Sequence, residues 1–218
     1  MKFSKIILLF QIIIICLAFS CRNKESAARE EISQKGKHHH HSIDSKKKAY
    51  VEALNSGRIT IDTMKSSPLL IAKKITAQAS FTITYSSPGV KGRVIWGGLV
   101  PYNRVWVSGA HQATRIKFTN DVEIKGQRVP AGRYALFTIP GERAWIIILN
   151  KNYAQHLTDE YDVTADVLRI EVTPIKLLRS VPRLTYLITE KSSGVMEVAL
   201  EWEKVRVSFP LTIPAKGN

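Results

Sequence analysis

The spacing of apolar residues changes character three times along this 218-residue chain. From Ile6 to Leu17 the run is almost unbroken, interrupted only by Gln11. From Arg22 to about Lys48, large apolar residues nearly vanish. Ser45 to Ser56 then places Tyr50, Val51 and Leu54 on one helical face, with Gly57 as a stop, which predicts a short helix. Beyond it the period falls to two. Ile59 and Ile61 alternate with polar neighbours, and so do Phe81, Ile83 and Tyr85. Further alternating or β-branched runs lie at 115–119, 133–139, 144–149, 167–173, 184–189, 195–202 and 205–211, each predicted as a strand. Turn residues fall between them: Asn120-Asp121, Lys125-Gly126, Pro130-Ala131-Gly132, Pro140-Gly141-Glu142 and Ser192-Ser193-Gly194. Glu203-Lys204 is expected to join the last two strands tightly, and 152–162 is the one stretch of this core with helical character. Many short strands between regular turns predict a mostly β domain. The expected form is an antiparallel β-sandwich or jelly-roll-like barrel with one or two short helices.

The N-terminal pattern sets the organisation of the rest. Lys2 and Lys5 form a basic head, the apolar run follows, and Ala18-Phe19-Ser20 leads into Cys21 and the polar Arg22-Asn23-Lys24-Glu25. These are the physical parts of a secretory signal. The apolar core is short of the ~20 residues a spanning helix needs. The stretch up to Cys21 resembles a bacterial lipoprotein signal, which implies removal of residues 1–20 and acylation of Cys21; an uncleaved anchor helix is the alternative. More than one acyl chain makes such attachment stable. The second cysteine, Cys16, also lies in the signal, so the domain has no disulfide to form and depends on its core. Residues 21–48 read as a disordered tether, because they cannot bury enough apolar surface to offset chain entropy. The domain is expected over 49–213, with 214–218 as a tail. Within the tether, His38, His39, His40 and His41 are weak candidates for a divalent metal, since a flexible run lacks a fixed ligand geometry. A solvated spacer is the plainer reading, and no cofactor is expected.

Charge narrows the choice of partners. The chain carries +14 overall, and from Ala49 onward 22 basic against 14 acidic residues still leave +8. Such a domain attracts anionic headgroups, acidic glycans or other anions. The chain carries no zinc-finger spacing and no aromatic RNP-like strands, so nucleic acid is not an expected partner.

One set of motifs is specific. Tyr85-Ser86-Ser87-Pro88-Gly89-Val90-Lys91-Gly92-Arg93 runs into Val94-Ile95-Trp96-Gly97-Gly98-Leu99-Val100-Pro101-Tyr102. Val105-Trp106, Gly109-Ala110 and Ala113-Thr114 follow, then Pro130-Ala131-Gly132-Arg133-Tyr134-Ala135-Leu136-Phe137-Thr138-Ile139-Pro140. With the closing Trp202-Glu203-Lys204 and Val207-Ser208-Phe209-Pro210, the stretch from about Ile75 to Ile213 resembles the domain-of-unknown-function 2911 family. That resemblance implies an exported, mostly β domain in the envelope of Bacteroidetes-like bacteria, and no particular reaction. Relatives usually carry arginine, asparagine and glutamate where this chain has Val107, His111 and Gln112. If that arginine and glutamate form a pair, both partners are missing here, the change a buried ion pair tolerates best. No acid–base role carries over to Gln112, because an amide does not titrate. Arg22 and the absence of an acidic run after Cys21 imply, again by resemblance, the periplasmic face of the outer membrane.

The segment 91–112 is the richest in candidate chemistry. Lys91, Arg93, Tyr102, Arg104, Trp106, His111 and Gln112 sit among glycines that let a backbone approach a ligand closely. Aromatic faces and cations suit an anionic small molecule, a glycan or an envelope protein. The plainer reading has Trp96 and Trp106 filling the core. His111 is a weak catalytic candidate, and a metal site drawing on His156, Asp159, Glu160 or Asp162 is weaker still. No serine elbow, Walker loop or His-Glu-x-x-His motif occurs. A binding protein is therefore expected first, with an envelope glycan or peptide hydrolase and a purely structural component as alternatives.

Overall fold

The computed structural model describes residues 45–214. The signal, Cys21, most of the tether and the histidine run lie outside the described residues. Helix α1 (45–55) forms where the apolar face predicted it: Val51 and Leu54 are buried, and Gly57 takes a φ of 82° just past the end. Among the described residues, no helix is long and apolar enough to cross a membrane.

Ten strands follow: β1 (Leu69–Ile75), β2 (Ser80–Ser86), β3 (Arg115–Phe118), β4 (Val122–Ile124), β5 (Gln127–Val129), β6 (Gly132–Ile139), β7 (Trp145–Asn150), β8 (Asp166–Val172), β9 (Ile175–Ser192) and β10 (Val195–Thr212). They form two antiparallel sheets, one ordered β1-β2-β3-β6-β7-β8 and the other β5-β4-β10-β9. Two separate sheets make this a sandwich, and the jelly-roll-like barrel is not formed. Alternation does the work: Phe81, Ile83, Ile116, Phe118, Leu136, Ile147 and Ile170 from one sheet meet Val198, Leu200, Trp202, Val207 and Phe209 from the other. Their polar neighbours face outward, as a half-buried sheet requires.

Several sequence expectations fail for identifiable reasons. Ile59 and Ile61 are in no strand, and Ile61 is exposed. The segment is drawn away by Asp62, which reaches a buried arginine. Residues 152–162 are irregular, and a 3-10 turn follows them at Val163–Ala165. Beside a few short-range turns, their backbone pairs with the 111–113 loop: the N–H of Leu157 donates to the carbonyl of His111 (2.7 Å), and that of Ala113 to Gln155 (3.0 Å). Glu203 and Lys204 do not turn the chain. β10 runs straight through them as a bulge, with Glu203 at φ 54° and the register against β9 shifting on either side. β1, β4 and β5 were not anticipated: β1 lacks clean alternation, and the other two are three residues each.

The strongest polar feature of the fold is Arg183, whose side chain is fully buried. Its Nη2 donates to Asp62 Oδ1 (2.9 Å), and its Nη1 donates to the carbonyls of Ser66 (2.9 Å) and Ser87 (3.0 Å). Nη2 also reaches the carbonyl of Met64. Nε lies 2.9 Å from Asp62 Oδ2, an ion-pair contact without hydrogen-bond alignment. The Arg183 backbone is clasped from both sides by Asn55, whose Oδ1 accepts its N–H (2.9 Å) and whose Nδ2 donates to its carbonyl (2.8 Å). One residue thus ties α1, the 62–66 segment and the 86–90 segment to β9. Gly89 is part of this join, because a β-carbon there would sit 2.5 Å from Asp62 Oδ2.

Candidate functional site

The residues singled out between 91 and 112 do not converge as a set. Arg93, Trp106 and His111 share the wall of a cleft of about 440 Å³, together with Leu99, Val105, Val107, Gly109, Ala110, Leu157, Thr158, Trp202, Ser67, Pro88 and Val100. Lys91, Tyr102, Arg104 and Gln112 are not among the lining residues. Tyr102 packs instead on Gly97, where a β-carbon would meet its ring at 2.9 Å. Lys91, Arg104 and Gln112 are exposed. The Gln112 backbone bridges to His156.

The cleft wall is built on tryptophan. All four tryptophans of the chain belong to one cluster, in which Trp96 and Trp106 are half-buried against the core. Trp96 lies edge-on to Trp106 (5.7 Å), Trp145 (4.8 Å) and Trp202 (5.7 Å), while Trp106 and Trp202 stack at 5.9 Å. Trp106 and Trp202 do both jobs: they pack in the core and face the cleft. Trp106 is fixed by its backbone, whose N–H donates to Thr138 (2.8 Å) and whose carbonyl accepts from Thr138 (3.0 Å).

The turn after Trp106 is pinned from inside. Ser108 is buried at φ 55°, and its hydroxyl donates to Thr138 Oγ1 (3.0 Å). Its carbonyl accepts the hydroxyls of Thr114 (3.0 Å) and Tyr186 (3.0 Å). Burial pushes the Tyr186 hydroxyl well above its ordinary value, so it stays a neutral donor. Gly109 follows because a β-carbon would press Thr114 Oγ1 at 2.9 Å. His111 then takes φ 63°. Histidine tolerates that left-handed region better than most residues. Val107 is buried with Ala113, Ala135, Phe137 and Ile148 in a second apolar cluster. Positions 107 and 112 therefore differ in burial, and in this chain they offer no buried place for a charge pair.

Arg93 curls back on its own loop, donating through Nε to Val90 (3.2 Å) and through Nη2 to the carbonyl of Gly89. Its remaining donors stay at the exposed rim. The lining holds no aspartate, glutamate or cysteine among the described residues. Nor do the described residues contain any group of three metal-ligating side chains. His156 pairs with Asp159 at 3.3 Å, and neither lines the cleft. What the arrangement can do is hold a ligand with an apolar or aromatic body against Trp106, Trp202, Leu99 and Val105, and contact its polar end with Arg93, His111 or Thr158.

Sequence reasoning missed Trp202, Leu157 and Thr158 as site residues. Trp202 carried a signal, since it closes the last recognisable motif. Leu157 and Thr158 carried none, because only the folded pairing of their loop with residue 111 brings them to the cleft.

The fold and cleft define a β-sandwich with a tryptophan-walled hollow. A model of the domain-of-unknown-function 2911 family matches residues 67–211, and the chain belongs to that family. No curated protein and no solved structure matches it.

Proposed function

We infer that this protein is a lipid-anchored envelope protein whose folded domain binds a small molecule or glycan unit in the Trp106–Trp202 cleft. The observation that carries the reading is the cleft's composition: two tryptophans, aliphatic side chains, and arginine, histidine and threonine, in a volume of about 440 Å³. That is the balance of apolar wall and sparse polar groups found in small-molecule sites. The lining has no carboxylate pair for acid–base hydrolysis, which favours binding over the glycan-hydrolase alternative. Attachment through acyl chains on Cys21 rests on the sequence up to that residue, and the periplasmic face of the outer membrane on Arg22 and the absence of an acidic run after Cys21.

Native mass spectrometry of the protein taken from its own membranes tests both halves. The expected chain begins at Cys21, carries acyl mass, and retains a further non-covalent adduct. Ala110→Trp, which fills the cleft, removes the adduct and leaves the acyl mass. A chain beginning at Met1 sinks the anchor. An adduct equally retained by Ala110→Trp, or none in either protein, sinks the cleft.

A further inference from the structure

A second feature lies outside the cleft, on the outward face of the six-stranded sheet. Strands β1, β2, β3 and β6 are neighbours in that order, and their sequences contain five basic residues and no acidic one. Lys74 is paired with Glu190 at 3.0 Å. The other four point outward, because Phe81, Ile83, Ile116, Phe118 and Tyr134 take the inward positions.

Register then lines them up. Lys73 stands opposite Thr82, Thr82 opposite Lys117, and Lys117 opposite Arg133, one straight row across four strands. In the adjoining row Thr84 stands opposite Arg115. At ~4.8 Å between strands, the cations and hydroxyls of this row are close neighbours. Lys117 and Arg133 are a directly opposed like-charge pair, which destabilises a sheet. Here Lys73, Arg115, Lys117 and Arg133 have no carboxylate partner among the described residues. Arg133 is held over the Tyr153 ring at 5.3 Å, which orients its guanidinium without neutralising it. Between these side chains lies a hollow of about 170 Å³ lined by Thr82, Thr84, Arg115, Lys117 and Arg133, so that every lining side chain can donate and none is anionic.

We propose that this face is a binding site for phosphate-type oxyanions. An anion seated between Arg115, Lys117 and Arg133 relieves the opposed charges and accepts from two guanidinium forks, an ammonium and two hydroxyls. That is the donor set which recognises a phosphate group. The same chemistry serves a dissolved phosphate ester or a phosphate headgroup at a membrane surface. The site is independent of the cleft.

Amine footprinting on the full chain reads it out. The protein, reconstituted in neutral vesicles, is acetylated with and without inorganic pyrophosphate at matched ionic strength, and modification is measured at each lysine. Pyrophosphate is expected to slow labelling of Lys73 and Lys117 severalfold and to leave Lys125 and Lys204 unchanged. In a second arm, vesicles containing phosphatidylglycerol replace dissolved pyrophosphate, and protection of the same two lysines assigns the phosphate to lipid. Arg115→Gln and Arg133→Gln keep the lysine reporters. Each should raise the pyrophosphate needed for half-protection by about tenfold, the worth of a charge-assisted hydrogen bond. Protection in neither arm overturns the proposal. So does protection spread evenly over Lys125 and Lys204, which is screening, or protection undiminished in both arginine variants.

Discussion

Asp62→Ala tests the join that holds one side of the cleft. In the native protein Arg183 is fully buried and Asp62 is 10 % exposed, so the pair is shielded from solvent screening. Removing the carboxylate strands a guanidinium charge in the interior. Breaking a buried pair from one side costs about 3–5 kcal/mol. The carbonyls of Ser66, Ser87 and Met64 remain as acceptors, which places the expected loss near the lower end, about 3 kcal/mol. For a domain of this size that lowers Tm by about 6–12 °C. The assay is thermal and urea unfolding of Asp62→Ala, Arg183→Met and the double variant. Because Arg183→Met removes the charge along with its partner's purpose, the double variant should be more stable than Asp62→Ala alone. A drop of less than about 2 °C for Asp62→Ala, or a double variant as unstable as the two losses added, would refute the reasoning. Ser67 and Pro88 of the cleft adjoin the carbonyls that Arg183 holds, so Asp62→Ala should also weaken retention of the proposed cleft ligand.

Two further outcomes are open to measurement. His111 sits at φ 63°, so His111→Asn should leave unfolding midpoints unchanged, whereas the β-branched His111→Val should cost about 1–2 kcal/mol; equal stability of the two would show that the left-handed turn is not what selects the residue. The Ala131 N–H and Arg128 hold the Asp121 carboxyl below the usual carboxylate range, and the Thr164 hydroxyl and N–H do the same for Asp162; at Glu197 burial opposes the charge, but Lys191 and Arg206 outweigh it. With folded values depressed, their stabilisation is present above the unfolded values of about 4 and lost as pH falls through the folded ones, so Tm should fall on acidification below about pH 4, and fall less in Asp121→Asn. A Tm that held constant or rose on acidification would contradict the assignment.

The alternation in the chain determined a great deal by itself. Phe81-Thr82-Ile83-Thr84-Tyr85 or Val205 to Leu211 can bury one face only as strands, and the helical face of Val51 and Leu54 can pack only as a helix. The family and the sandwich were legible because they rest on local pattern and recognisable motifs. Three things were not. Asp62 and Arg183 are 121 residues apart, and nothing near either one says that a buried partner exists. Leu157 and Thr158 reach the cleft through backbone bonds to a distant loop, which also unmade the helix their own segment suggested. The row Lys73, Thr82, Lys117 and Arg133 exists only through strand register. Periodicity says which face a residue takes within its own strand, but not which residue stands opposite on the next. That is fixed by the packing of whole sheets, and with it every site on this protein assembled from more than one strand.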